Sequence, residues 1–192
     1  MPPRSSAATR GFTLVEMMVT VAIAGIMLAL AAPAMQQFVT QKAVSSSSDE
    51  LVSALRFARS EALKRSSPVS VCGGNGGTTA TTAACTSNDW TKGWIIFADR
   101  DGNGVYSYSS SNPTDELLRV QQAVPQQVVG PTPTGTTAYV EFVATGMALG
   151  AKSFTFRPNL NSSNANFNKF SRIVCVNSQG RTNVVSGTGT CN

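Results

Sequence analysis

An apolar run from Met17 to Met35, broken by no charged residue, is the feature that most constrains what this chain can become. Its 19 residues, at about 1.5 Å each along a helix, reach roughly the thickness of a bilayer's hydrocarbon core. Ahead of it, Met1 to Arg10 is short and polar and carries Arg4 and Arg10, so this end is expected to stay on the cytoplasmic side and the rest of the chain to lie outside. A secretory signal peptide cleaved near Ala31 or Ala32 is the competing reading. Two features stand against it. The run is longer than an ordinary signal core, and Glu16 sits at its edge, where burying a carboxylate costs about 2.5 to 3.5 kcal/mol. A residue that costly predicts a partner for its charge.

The residues Gly11, Phe12, Thr13, Leu14, Val15 and Glu16 resemble the processing site of type IV pilins and of type II secretion pseudopilins. The resemblance implies that a prepilin peptidase cuts after Gly11 and that the new amino terminus on Phe12 is methylated, with Glu16 close behind it. The charged amine of Phe12 in one subunit would then neutralise Glu16 of a neighbour inside a dry helical bundle, which offsets the desolvation cost and fixes register. Pro33 removes a helix hydrogen bond and crowds the carbonyl of Ala29, which predicts a kink or local melting. In the family a proline stands at the corresponding place, which implies a flexible point in the filament core.

Past the apolar run, Leu51, Leu55, Ala58 and Ala62 recur at helical spacing, interleaved with Arg56, Arg59, Glu61, Lys64 and Arg65. This is an amphipathic stripe whose apolar side should lie on a sheet and whose basic side reads as solvated. Ser66, Ser67 and Pro68 should end the helix, because the residue before a proline avoids the helical region. Short β-like runs follow: Val69 to Cys72, Trp94 to Ala98, Ala138 to Ala144, Ser153 to Arg157 and Arg172 to Val176. They are separated by Gly, Asn, Ser and Pro, which reads as an antiparallel sheet packed on one helix. The expected organisation is a leader at 1–11, a membrane and filament-core helix at 12–35, an amphipathic extension at 36–67 and an extracytoplasmic β-rich domain at 68–192.

Composition limits the chemistry. The 192 residues contain no His, which excludes a Ser/His/Asp triad, a Cys/His dyad and a His-based metal site. Cys72, Cys85, Cys175 and Cys191 are an even set in a chain that reads as exported, so disulfides are expected. Three pairings are possible, and proximity favours Cys72 with Cys85 and Cys175 with Cys191, each adding roughly 3 kcal/mol. A zinc site is the rival, without CxxC spacing or His to support it. The Gly- and Thr-rich stretch Gly73 to Asn88 reads as a loop pinned by its own disulfide, and it lacks the Walker lysine pattern. Asp99, Asp101, Asn103 and Gly104 match the opening of a calcium loop, but its twelfth position would fall at Ser110, with Asp115 and Glu116 too far on. A turn built from Asp, Gly and Asn explains the same residues. No cofactor is expected.

Trp90, Gly93, Trp94, Phe97, Asp99, Asp101, Asn103 and Gly104, then Glu116 to Arg119, Phe142, Gly146, Phe154, Phe156, Arg172 and the run Val176 to Arg181, together resemble the FimT/FimU and GspH group of minor pilins and minor pseudopilins. The resemblance implies an α+β fold, a long N-terminal helix packed on an antiparallel β-sandwich-like domain. It also implies a structural subunit of a type IV pilus at the inner membrane, partnered by other pilins, or alternatively a pseudopilin of type II secretion. In FimT proteins that bind DNA in natural transformation, the tail carries a Gly-Arg-x-Arg motif. Here Thr182 and Asn183 follow Gly180 and Arg181. Contact with double-stranded DNA would then fall to Arg181, helped by Arg172 and Lys169, and a turn arginine facing solvent is the alternative. Lys and Arg number 15 against 10 acidic residues, an excess compatible with either. No catalytic constellation emerges, so an enzyme is not expected.

Overall fold

The computed structural model describes residues 11–86, 89–109, 115–135, 139–150 and 153–191. The chain divides into two units, 1–39 and 40–192. One helix, α1 (Leu14–Arg65), contributes to both. The leader residues 1–10 lie outside the described residues, and the helix runs without a break past position 33.

In the first unit every described side chain from Phe12 to Phe38 is exposed, including Leu14, Val15, Met18, Ile26, Leu28 and Leu30. A helix apolar on all sides is stable only against lipid or other helices. By length and composition α1 is able to cross a membrane here.

The second unit is built on the remainder of α1. Leu51, Leu55, Ala58 and Ala62 are fully buried, at the spacing that aligns one face of a helix. They meet β1 (Val69–Gly74), β3 (Trp94–Asp99) and β6 (Tyr139–Phe142) of one sheet through Val69, Val71, Trp94, Ile96, Val140 and Phe142. Phe154, Phe156, Val174 and Val176 close the same core from β8 (Ser153–Pro158) and β9 (Arg172–Val176) of the other. The first sheet has the order β4-β3-β1-β6-β7, with β2 (Cys85–Thr86) added to β1, and is completed by β4 (Asp115–Gln121) and β7 (Ala148–Gly150). The second has the order β10-β9-β8-β5, with β5 (Val128–Pro133) and β10 (Thr182–Ser186) at its edges. All pairings are antiparallel. A short helix, α2 (Asn166–Phe170), precedes β9.

Ser66 ends α1 with a φ of 51° and the Ser67 amide bonds back to the Ala62 carbonyl, a left-handed cap followed by Pro68, which cannot continue the helix. The edge strand β4 is tied to the helix by Arg65, which forks onto both oxygens of Glu116 at 2.7 and 3.3 Å. Gln121 also bonds Glu50. Arg119 stacks over Phe57 at 6.0 Å. Cys72 is bonded to Cys85 and Cys175 to Cys191.

The first sheet is buried on both faces at β1 and β3. Its outer face carries a second, smaller core of Cys72, Ala83, Ile95, Phe97 and Tyr106, roofed by the loops on either side of β2. Five strand runs were expected, and among the described residues five more pairing elements are present: β2, β4, β5, β7 and β10. Gly130, Pro131 and Pro133 conceal β5, which survives because prolines are tolerated on a sheet edge. The expected run from Ala138 begins, as described, at Tyr139 and ends at Phe142.

Candidate functional site

At the N-terminal motif, Gly11, Phe12 and Thr13 are non-helical and exposed, and α1 begins at Leu14. The Glu16 amide donates to the Thr13 hydroxyl at 3.2 Å, and the Met17 amide donates to the Thr13 carbonyl. Thr13 is therefore the N-cap and Glu16 the third helical residue, with the hydroxyl half of a capping box in place. The carboxylate of Glu16, exposed in the first turn, is also favoured there by the positive end of the helix dipole. The Thr-x-x-Glu spacing carried this signal in the sequence. Cap and helix start together set how far the Phe12 backbone stands from Glu16.

The acidic loop is organised around two buried carboxylates, Asp99 and Asp115. Asp99, fully buried, accepts through Oδ1 from the amides of Gly102 (2.8 Å) and Asn103 (3.2 Å). Its Oδ2 accepts from the Gly104 amide and the Ser70 hydroxyl, both at 2.8 Å. Asp115, also buried, accepts from the amides of Arg100 (3.3 Å) and Ser107 (2.7 Å). Asp99, Asp101 and Asp115 bring carboxylate oxygens within 4.8 Å of one another. Asn103 donates to Asp101 and accepts from the Val105 amide. Four donors surround the Asp99 carboxylate, so this loop is held by its own backbone and by Ser70. Ser110 lies outside the described residues. Burial raises the carboxyl pKa of Asp115 despite its two amide bonds. It also raises that of Glu141, to which the charge of Asp99 adds.

The basic residues of the C-terminal region do not form one group. Arg181 is exposed in the turn between β9 and β10, its amide bonded to Asn177 Oδ1. Arg172 opens β9 and donates to the carbonyls of Lys169 and Ser171. Asn177 faces Arg181 across the turn, which separates Arg181 from Arg172 by the length of the strand, about 17 Å at 3.3 Å per residue. The residues that do approach the turn come from α1. Arg56 Nε donates to Thr182 Oγ1 at 3.3 Å, and Arg59 lies over Gly180. No local pattern signals this, because the contact joins residues more than a hundred positions apart.

A long apolar N-terminal helix packed through its later turns on antiparallel sheets is a pilin-like fold. A family profile described as Type II transport protein GspH matches residues 47–180. A second, the prokaryotic N-terminal methylation motif, matches residues 7–32 and so includes Gly11 to Glu16. The chain belongs to the GspH family of minor pilins and pseudopilins. Among solved structures, the type IV minor pilin FimU of Pseudomonas aeruginosa is 20% identical, with a TM-score of 0.52 over 79% of this chain and 95% of that one. The minor pseudopilin EpsH from the Type 2 Secretion System of Vibrio cholerae is 7% identical, with a TM-score of 0.44 over 76% and 98%. The first likeness carries the fold, and the second is too distant to carry an argument. No curated protein sequence matches the chain.

Proposed function

We propose that this chain is a minor pilin, a structural subunit that helps initiate or cap a type IV pilus and has no catalytic role. The observation that carries this is the exposed apolar length of α1 with Glu16 at its capped start. In this reading the leader is removed after Gly11 and Phe12 is methylated. The subunit waits in the inner membrane with its sheets in the periplasm, where both disulfides are at home. The Phe12 amine of the entering subunit and Glu16 of its neighbour then pair. Pro33 supplies a flexible point within the helix. Position in the GspH family keeps a type II secretion pseudopilin as the alternative.

The test is to follow the chain in sheared surface filaments. Wild-type protein should be present there, and Glu16→Ala should be lost from the filaments while its membrane level holds. Equal incorporation of the variant would overturn the charge-pair role. In a deletion strain, loss of surface pili with export of folded proteins intact assigns the pilus; the reverse assigns secretion.

A second reading has the subunit capture double-stranded DNA. Its support is the exposed Arg181, with no ion pair among the described residues, while Arg172 and Lys169 stand at the far end of the hairpin. Binding should weaken with salt by roughly 0.9 in log-log slope per phosphate contact, and Arg181→Ala should lose one such contact.

A further inference from the structure

Beside the smaller core of the first sheet lies a cavity of about 330 Å³, lined by Ala80, by Tyr106 and Tyr108, and by the start of β4 from Asp115 to Leu117. That volume stands at the small end of ligand pockets, which run from about 300 to 1,000 Å³. Tyr106 is fixed in place. Its hydroxyl donates to the Ala80 carbonyl at 3.1 Å, and its ring packs edge-on against Phe97. Tyr108 is exposed, and its hydroxyl makes no hydrogen bond among the described residues.

The charge around this cavity is one-sided. Asp115 is buried in its wall, with carboxylate oxygens of Asp99 and Asp101 within 4.8 Å of its own. None of these three acids is in an ion pair among the described residues. Arg100 also lines the cavity, but it reaches Asp115 through its backbone amide, and its guanidinium turns to Glu116 at 4.0 Å. Burial first, and the charges of Asp101 and Asp99 after it, raise the Asp115 carboxyl pKa against its two amide bonds. Burial and then the charges of Asp115 and Tyr108 raise that of the Tyr106 phenol. A carboxylate held away from water without a cation is costly, and a cation with hydrogen-bond donors would offset that cost.

We propose that this cavity binds a primary alkylammonium group, the end of a lysine side chain or of a polyamine, with its charge on Asp115 and its carbon stem against Tyr106, Tyr108 and Leu117. An ammonium brings three N–H donors and a full charge to the carboxylate. Tyrosine rings favour a cation over their faces, and Ala80 and Leu117 suit the apolar stem. A bare calcium ion matches these walls less well. It needs about six to eight oxygens, whereas four donors already surround the Asp99 carboxylate and much of the wall is ring and aliphatic carbon. This binding goes beyond the reading of the chain as a filament subunit and does not depend on it.

The test uses the full chain in micelles of an uncharged detergent, with tyrosine ring signals read by NMR. The probes are Nα-acetyl-lysine methylamide and spermidine, and the control is the same blocked lysine acetylated at Nε, which keeps the stem and loses the charge. Saturable shifts at Tyr106 and Tyr108 with a charged probe are expected, with affinity about tenfold weaker for the neutral control and in both Asp115→Asn and Tyr108→Ala. Tyr108 is exposed, so its variant keeps the test valid if Asp115→Asn disturbs folding. Tighter binding of the blocked lysine assigns the site to a peptide side chain; tighter binding of spermidine assigns it to a free polyamine. No saturable shifts, equal binding of the neutral control, or full affinity in Tyr108→Ala overturns the proposal. Shifts from calcium chloride with none from either amine overturn the choice of ligand.

Discussion

Gly180 holds a φ of 73°, and a Cβ there would meet the Gly146 carbonyl oxygen and the Arg59 side chain. Both the left-handed backbone and the clash penalise any side chain. Gly180→Ala should therefore lower stability by about 1 to 3 kcal/mol, seen as a reduced midpoint in urea. Glu141 sets a pH dependence instead. Burial and the nearby Asp99 raise its pKa above the ordinary 4.5, so the folded state holds this proton more tightly than the unfolded one. The stability it contributes is fully present below 4.5 and is lost as pH rises through the folded value. Glu141→Gln should flatten that part of the stability profile above pH 4.5. A variant as pH-dependent as the wild type would show that other groups dominate. At Thr13, replacing the capping hydroxyl by Thr13→Val should cost the start of α1 about 1 kcal/mol, read as faster amide exchange at Glu16.

Among elements, the outer-face loops depend on the Cys72–Cys85 bridge more than the main core does. Cys85 Sγ accepts from the Tyr106 amide at 3.3 Å, and Tyr106 packs edge-on against Phe97. Replacing both cysteines by Ala should cost roughly 3 kcal/mol and release the loop around Tyr106 to hydrogen exchange, while α1 stays protected. The helical stripe of the second unit was legible because burial of Leu51, Leu55, Ala58 and Ala62 follows a single period. The strands β1 and β3 were legible as apolar runs, though not their burial on both faces. β4 and β10 escaped notice because their alternation is blurred by charged and polar residues that pair with distant partners, as Glu116 does with Arg65.

For the whole molecule, the exposed apolar length of α1 predicts that the intact chain needs detergent or membrane to stay dispersed. The piece beginning at Thr40 carries its own core, and should be dispersed and cooperatively folded without either; aggregation of that piece on purification would count against its independence. What the sequence determined unaided was local or periodic: the apolar run, the processing motif with its costly Glu16, the amphipathic stripe and the stop at Pro68. Each depends on neighbours within a few residues. Only the tertiary structure decided that Asp115, from beyond the loop, also joins Asp99, Asp101 and Asn103. It likewise separated Arg181 from Arg172 and brought Arg56 to Thr182 and Arg59 to Gly180 instead. The physical reason is the same in each case: strand register and helix docking set those distances, and they are fixed by burial across the whole core, which no short stretch of sequence contains.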